Sequence, residues 1–111
     1  VDPSDLAACE KAITEELASE GPDGHKGPSV IISRRPCVLL KTVKAKPAVK
    51  VDPDSCRSCK KCMKLGCPAI HMEGPASGGG KAAKAVVDPT LCVGCGVCEQ
   101  LCAFGAIKGG N

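Results

Sequence analysis

Val51-Asp-Pro-Asp-Ser-Cys56-Arg-Ser-Cys59-Lys-Lys-Cys62-Met-Lys-Leu-Gly-Cys67-Pro-Ala-Ile70 is followed, 36 residues on, by a second version of itself. That second version reads Val87-Asp-Pro-Thr-Leu-Cys92-Val-Gly-Cys95-Gly-Val-Cys98-Glu-Gln-Leu-Cys102-Ala-Phe-Gly-Ala-Ile107. Both open on Val-Asp-Pro-x2-Cys and both close on Ala-Ile (Ala69-Ile70 and Ala106-Ile107). An internal repeat of this kind predicts one small unit used twice: a strand into an Asp-Pro turn, a loop through three cysteines, a short helix after the third, and a return strand. Residues 74–85, rich in Gly, Ala and Lys, read as a flexible connector between the copies.

Eight of the ten cysteines fall in these runs, Cys56-x2-Cys59-x2-Cys62-x4-Cys67-Pro68 and Cys92-x2-Cys95-x2-Cys98-x3-Cys102-Ala103. The spacing C-x2-C-x2-C-x3-C-P is that of thiolates holding iron–sulfur clusters, the fourth cysteine of each run serving the other cluster. Three cysteines at x2 spacing wrap one cube within a single loop, where backbone N–H groups can point at its sulfurs. The expected ligand sets are therefore Cys56, Cys59, Cys62 and Cys102 for cluster one, and Cys92, Cys95, Cys98 and Cys67 for cluster two. Two [4Fe–4S] clusters so held would pass single electrons. A pair of structural zinc sites is the competing reading, because Cys-x2-Cys is shared with zinc ribbons; such sites, however, use two close pairs set well apart. The two runs depart from the usual pattern by the extra residue between Cys62 and Cys67 and by Ala103 in place of Pro. Each departure leaves all four ligands in place.

At 111 residues with Phe104 as the one aromatic, the chain lacks the large side chains of an ordinary core, and ligation is a natural substitute. Ten cysteines would mean disulfides in a secreted chain, but no signal-peptide pattern opens this one and no apolar run reaches membrane-spanning length. A reducing cytoplasm is the expected compartment. Residues 1–40 carry four Lys/Arg against seven Asp/Glu, and residues 41–111 eleven against five. The basic run Lys41, Lys44, Lys46, Lys50, Arg57, Lys60, Lys61 and Lys64 is either a solvated face or a dock for an acidic carrier. Nucleic acid is not an expected partner, since stacking aromatics are missing.

Before the repeat, Leu6, Cys9, Ile13 and Leu17 recur at helical spacing, and a helix is expected over 4–20, capped by Ser4 and ended by Gly21-Pro22. Ser29-Val-Ile-Ile-Ser33 has the apolar composition of a buried strand. One helix and one strand cannot close a core, so residues 1–40 read as the last piece of a larger α/β domain, joined by a basic linker (41–47) to an α+β domain over 48–111. Cys9, on the apolar helix face, and Cys37 are expected to be buried small hydrophobes, with a partner contact as the lesser role of Cys37. His25 and His71 stand without ligand-spaced companions and are expected at the surface.

The cysteine region resembles the bacterial dicluster ferredoxins, and the chain as a whole looks like the C-terminal end of the large (alpha) subunit of indolepyruvate:ferredoxin oxidoreductases. The second resemblance rests on three stretches. They are Gly27 to Leu40 with its Arg34-Arg35-Pro36-Cys37, Cys59-Lys-Lys-Cys62 running into Leu65-Gly-Cys-Pro-Ala-Ile70 with the x4 spacing, and Val87 to Cys98 with Phe104-Gly-Ala-Ile107. The resemblance implies oxidative decarboxylation of aryl-2-oxoacids to acyl-CoA, with thiamine diphosphate and Mg in the remaining part of the alpha subunit. It also implies a smaller second subunit, and an external ferredoxin or similar acceptor for the electrons. The Gly-Asp-Gly segment that holds thiamine diphosphate in such enzymes is not in this chain, so no catalytic residue is expected here. The alternative is a standalone dicluster ferredoxin with an N-terminal extension.

Overall fold

Each Val-Asp-Pro opening folds into the same turn in the computed structural model, which describes residues 1–74 and 82–109. Proline presets the backbone angle of the turn, and the aspartate before it ties down the residues that follow. The Asp52 carboxylate accepts from the Asp54 N–H (3.0 Å) and the Ser55 hydroxyl (2.8 Å). That of Asp88 accepts from the Thr90 N–H (2.8 Å) and hydroxyl (2.6 Å). The carbonyls of Asp52 and Asp88 each receive the N–H of the first cysteine of the run, Cys56 and Cys92, at 3.1 Å.

The strands on either side of these turns pair across the repeat and not within it. Strand β1 (Lys50–Val51) opens the first copy and lies antiparallel to β4 (Ile107–Lys108), which closes the second, with Val51 opposite Ile107. Strand β2 (Ile70–Glu73) closes the first copy and lies antiparallel to β3 (Lys84–Val87), which opens the second, with Ile70 opposite Val87. The exchange is matched bond for bond: Asp52 N–H donates to the Ala106 carbonyl and Asp88 N–H to that of Ala69, both at 2.7 Å. Between the two sheets sits a core of small and branched residues. Val49, Ile70, Cys98 and Ile107 form one cluster, and Cys56, Ala85 and Ala106 the other.

A 3₁₀ turn (Cys62–Leu65) begins on the third cysteine of the first copy, and helix α2 (Val97–Leu101) begins one residue before that of the second, where a short helix was expected after it in both. The 3₁₀ turn ends on Gly66 at φ 70°, the left-handed geometry a glycine accepts freely. Gly66 is thereby the use made of the extra residue before Cys67.

The N-terminal region differs from its expected form. Helix α1 spans Leu6–Ala18, not 4–20. Asp5 caps it by accepting the Ala8 N–H at 3.0 Å, while the Ser4 hydroxyl is taken by Arg35. The helix stops at Ser19, two residues before Gly21, with the Ser19 hydroxyl and N–H both turned back to the Glu16 carbonyl. Residues 29–33 form no regular strand; among the described residues the ladder-type bonds here are with Val1. The Val1 ammonium donates to the Ile32 carbonyl (2.8 Å) and Arg34 N–H to the Val1 carbonyl (2.9 Å), which is a parallel bridge one residue long. Val30 and Ile32 remain 81% and 73% exposed. Cys9 is half-buried with its thiol donating to the Asp2 carbonyl at 3.4 Å, and Cys37, expected inside, is exposed, as are the residues 34–40 around it. The expected connector falls largely on residues 75–81, outside the described residues. Among the described residues no helix is long and apolar enough to cross a membrane.

Candidate functional site

The first loop turns through left-handed backbone at Ser58 (φ 56°) and Lys60 (φ 60°), and the second at Gly94 (φ 66°) and Gly96 (φ 76°). Aligned by their cysteines these are equivalent positions, so both loops wind the same way around their first three thiols. Left-handed backbone at a non-glycine residue costs roughly 1–2 kcal/mol. The first loop is held against that cost by the Ser58 hydroxyl on the Ala83 carbonyl (2.5 Å) and the Lys84 ammonium on the Cys56 carbonyl. In the second loop a side chain at Gly94 would run into the backbone of Lys46 and Pro47, so glycine there serves close approach as well as turn geometry.

Two cavities result. One is bordered by Cys56, Cys59 and Cys62 of the first loop and by Cys102 from the far end of the second run. The other is bordered by Cys92, Cys95 and Cys98 together with Cys67 from the first. Cys9 and Cys37 border neither. Cys56 and Cys98 are buried, whereas Cys59 and Cys95, at the crest of each loop, are exposed. Among the described residues no group of three or more His, Cys, Asp or Glu is gathered to hold a single metal ion. The thiols border a space instead of meeting at a point.

Their electrostatics are uneven before any metal is bound. Burial, reinforced by the neighbouring Cys95 and Cys92 thiols and then by Cys67, pushes Cys98 up to about 11. Burial likewise raises Cys62, with Cys56 and Cys59 adding to the effect. Cys102 moves the other way. Burial alone would raise it, but the N–H groups of Ala106, Phe104, Ile107 and Gly105 converge on its sulfur and hold it below the ordinary thiol value. The Gly94 N–H also points at the Cys92 sulfur, at 3.4 Å. Four thiols, one of them in each cavity (Cys102 and Cys92) faced by backbone N–H groups of neighbouring residues, are a donor set that suits an iron–sulfur cube, so the residues at each cavity could hold one.

Three features of the site were not anticipated from spacing. The backbone N–H groups that lower Cys102, led by Ala106 and Phe104, lie on a turn lengthened by Phe104-Gly105, two residues that the first copy lacks between its last cysteine and Ala-Ile; comparing Cys67–Ile70 with Cys102–Ile107 shows the insertion. Phe104 itself stands on the wall of the first cavity. Gln100 reaches out of α2 to clasp the N-terminal helix, its amide donating to the Ser4 carbonyl (2.6 Å) and accepting the Leu6 N–H (3.0 Å). No sequence signal marks that last contact, because it spans 96 residues.

Comparison with known proteins adds two findings. Residues 48–103 match the 4Fe-4S dicluster domain family. The chain is also similar to proteins named indolepyruvate oxidoreductase subunit IorA. It is 37% identical to that of Thermococcus kodakarensis over 97% of its own length, and 40% and 33% identical to those of Methanothermobacter marburgensis and Archaeoglobus fulgidus over 76%. It spans 16%, 12% and 13% of the length of these three relatives.

Proposed function

The chain belongs to the 4Fe-4S dicluster domain family, and from that premise we propose that it is the electron-relaying end of a 2-oxoacid:ferredoxin oxidoreductase of the indolepyruvate type. Cys56, Cys59, Cys62 and Cys102 hold cluster one, and Cys92, Cys95, Cys98 and Cys67 hold cluster two. When bound, each cluster accepts and releases one electron. The observation that carries this reading is the thiol arrangement of each cavity, three from one loop and the fourth from the other run. Cross-supply of the fourth thiol ties the two copies together at the same place where their strands are exchanged. The buried, small-residue core between the cavities keeps water from the inner thiols Cys56 and Cys98, and N–H groups at Cys92 and Cys102 are set to stabilise charge on sulfur.

Residues 48–111 are an α+β ferredoxin-like domain, 41–47 its linker, and 1–40 the helix-strand end of a larger α/β body that carries thiamine diphosphate and Mg. The parallel bridge of Val1 with residues 32–34 around α1 has the connectivity of a βαβ unit, and no residue of 1–40 is buried. A second, smaller subunit and an external ferredoxin complete the proposed assembly, in a reducing cytoplasm. The test is iron and acid-labile sulfide analysis of the anaerobically prepared chain, with EPR through a redox titration. Four irons per site and two interacting low-potential spins are expected, whereas bound zinc, or a metal-loaded sample silent at all potentials, would sink the reading.

A further inference from the structure

The two cysteine loops share a backbone path and differ in charge. Aligned by their cysteines, Arg57, Lys60, Lys61 and Lys64 of the first stand where the second has Val93, Gly96, Val97 and Gln100. All four cations are exposed. The ion pairs among the described residues are Lys11–Glu15, Arg35–Asp2 and His71–Glu73, so none of the four is neutralised by them. Lys60 occupies left-handed backbone that glycine would hold without strain, and its equivalent Gly96 does so at φ 76°. Phe104 lies on the same cavity wall as Arg57, Lys60 and Lys61, and is 49% exposed. An aromatic side chain set within a charged rim is the usual composition of a protein-docking patch.

The second loop faces the rest of the chain instead. Its Gly94 is closed over by the backbone of Lys46 and Pro47, and Gln100 clasps Ser4 and Leu6. The space beside Cys95 and Gly96 is bordered by Asp2, Asp5 and Arg35.

We infer that Phe104 and its rim of Arg57, Lys60 and Lys61, extended by Lys64 on the 3₁₀ turn, form the docking surface for an acidic electron-carrier protein at the first loop, while the second loop is turned toward the body of the chain. The inference rests on the proposed relay and gives it a polarity. One electron leaves the chain's reduced centre at the first loop and enters the carrier's oxidised centre; no bond forms or breaks and no proton moves. Opposite charge steers the encounter, and Phe104 supplies the desolvated contact once the carrier is seated.

The test uses the iron-loaded chain with a strongly acidic [2Fe–2S] ferredoxin as probe, following association kinetics and calorimetric affinity across a range of salt. Lys60→Gly with Lys61→Val gives the first loop its twin's residues and removes backbone strain, so the fold is not at risk. That variant is expected to slow association about tenfold at low salt and flatten the salt dependence. Phe104→Ala weakens affinity at every salt concentration and leaves the salt slope intact. Lys26→Ala, in the loop after α1, changes neither. Failure of the wild-type chain to bind the probe overturns the proposal, as does an unchanged affinity and salt slope in both the loop variant and Phe104→Ala with four irons retained at each site. In either of those cases the relay reading survives through its iron content and spins. Absence of iron from the wild-type chain instead removes the relay itself.

Discussion

Residues 1–40 and residues 48–109 contain comparable apolar material, and only the second region buries it. Val30, Ile32 and Leu39 are left 81%, 73% and 88% exposed, whereas Ile70 and Ile107 are 5% and 3% exposed. The difference is one of partners. Each strand of the cysteine region finds its complement in the other copy of the repeat, so two strands of two residues and two of four can still close over a core. The extended run at 29–33 has an equally apolar composition, and among the described residues its ladder-type bonds are with Val1. Apolar composition prepares a segment for burial, but a second surface has to supply it.

The comparison breaks most visibly at the cysteines. Cys67→Ser removes the thiol that links the first run to the second cavity, and it is expected to cost one cluster, so that iron falls from about eight to about four per chain or lower. The cysteine region loses cooperative melting at the same time, since binding energy at such a site is folding energy. Cys37→Ala, at an exposed position, leaves iron content unchanged and stability within about 0.5 kcal/mol. Colorimetric iron and sulfide with thermal melts by circular dichroism distinguish the two; equal iron loss in both variants would erase the contrast.

Truncating the core comes next. Ile107→Ala deletes a side chain packed between the two copies and should cost about 2–4 kcal/mol. Leu17→Ala, 71% exposed on α1, should cost less than about 0.5 kcal/mol in this chain. Denaturant melts measure both. Equal losses would mean that α1 is packed more tightly than its exposure indicates.

Glycine positions sharpen the contrast further. Gly94 and Gly24 are both left-handed, at φ 66° and 70°, but a Cβ at Gly94 meets the Lys46–Pro47 backbone and one at Gly24 meets nothing within 4 Å. Gly24→Ala should show backbone strain alone, about 1 kcal/mol, and Gly94→Ala about 1–3 kcal/mol with displacement of the linker. Amide exchange at residues 46–48 reads the displacement directly. If Gly94→Ala leaves that exchange unchanged, the linker does not rest on the second loop.

The smallest effect is in acid. Hydrogen bonds from the Ser55 hydroxyl to Asp52 and from the Thr90 hydroxyl to Asp88 hold both carboxyls below the ordinary 3.8. A carboxyl lowered on folding contributes its stability in full above its unfolded value and loses it as pH falls through the folded one. The turn contribution is therefore intact above about pH 5 and fades as pH falls through 3.8 and below. Titration of the carboxyl resonances of the two residues should give values under 3.8, and Ser55→Ala should return Asp52 toward it.

Much of the cysteine region was legible because its rules are local. A turn begins where Asp-Pro stands, three thiols at x2 spacing share a loop, and helical backbone sets in at the third, as a 3₁₀ turn in the first copy and an α-helix in the second; each depends on residues within a few positions. The eight thiols that border the two cavities are the eight in the runs. The N-terminal region was legible only in part for the converse reason. Periodicity indicated α1, but whether Asp5 or Ser4 caps it depended on Arg35, 31 residues from Ser4, taking the Ser4 hydroxyl. Whether 29–33 becomes a strand depended on a neighbour.

By itself, then, the amino-acid sequence determined the chemistry of this protein: eight thiols, their spacing, the turns that present them, and the repeat that makes them two sets. Tertiary structure alone decided which strands exchange, that Phe104-Gly105 wraps amides around Cys102, that Gly94 lies beneath the linker, and that Gln100 holds α1. Those outcomes turn on surfaces meeting across up to 96 residues of chain, where shape and partner availability decide and neighbouring residues in sequence carry no information about either.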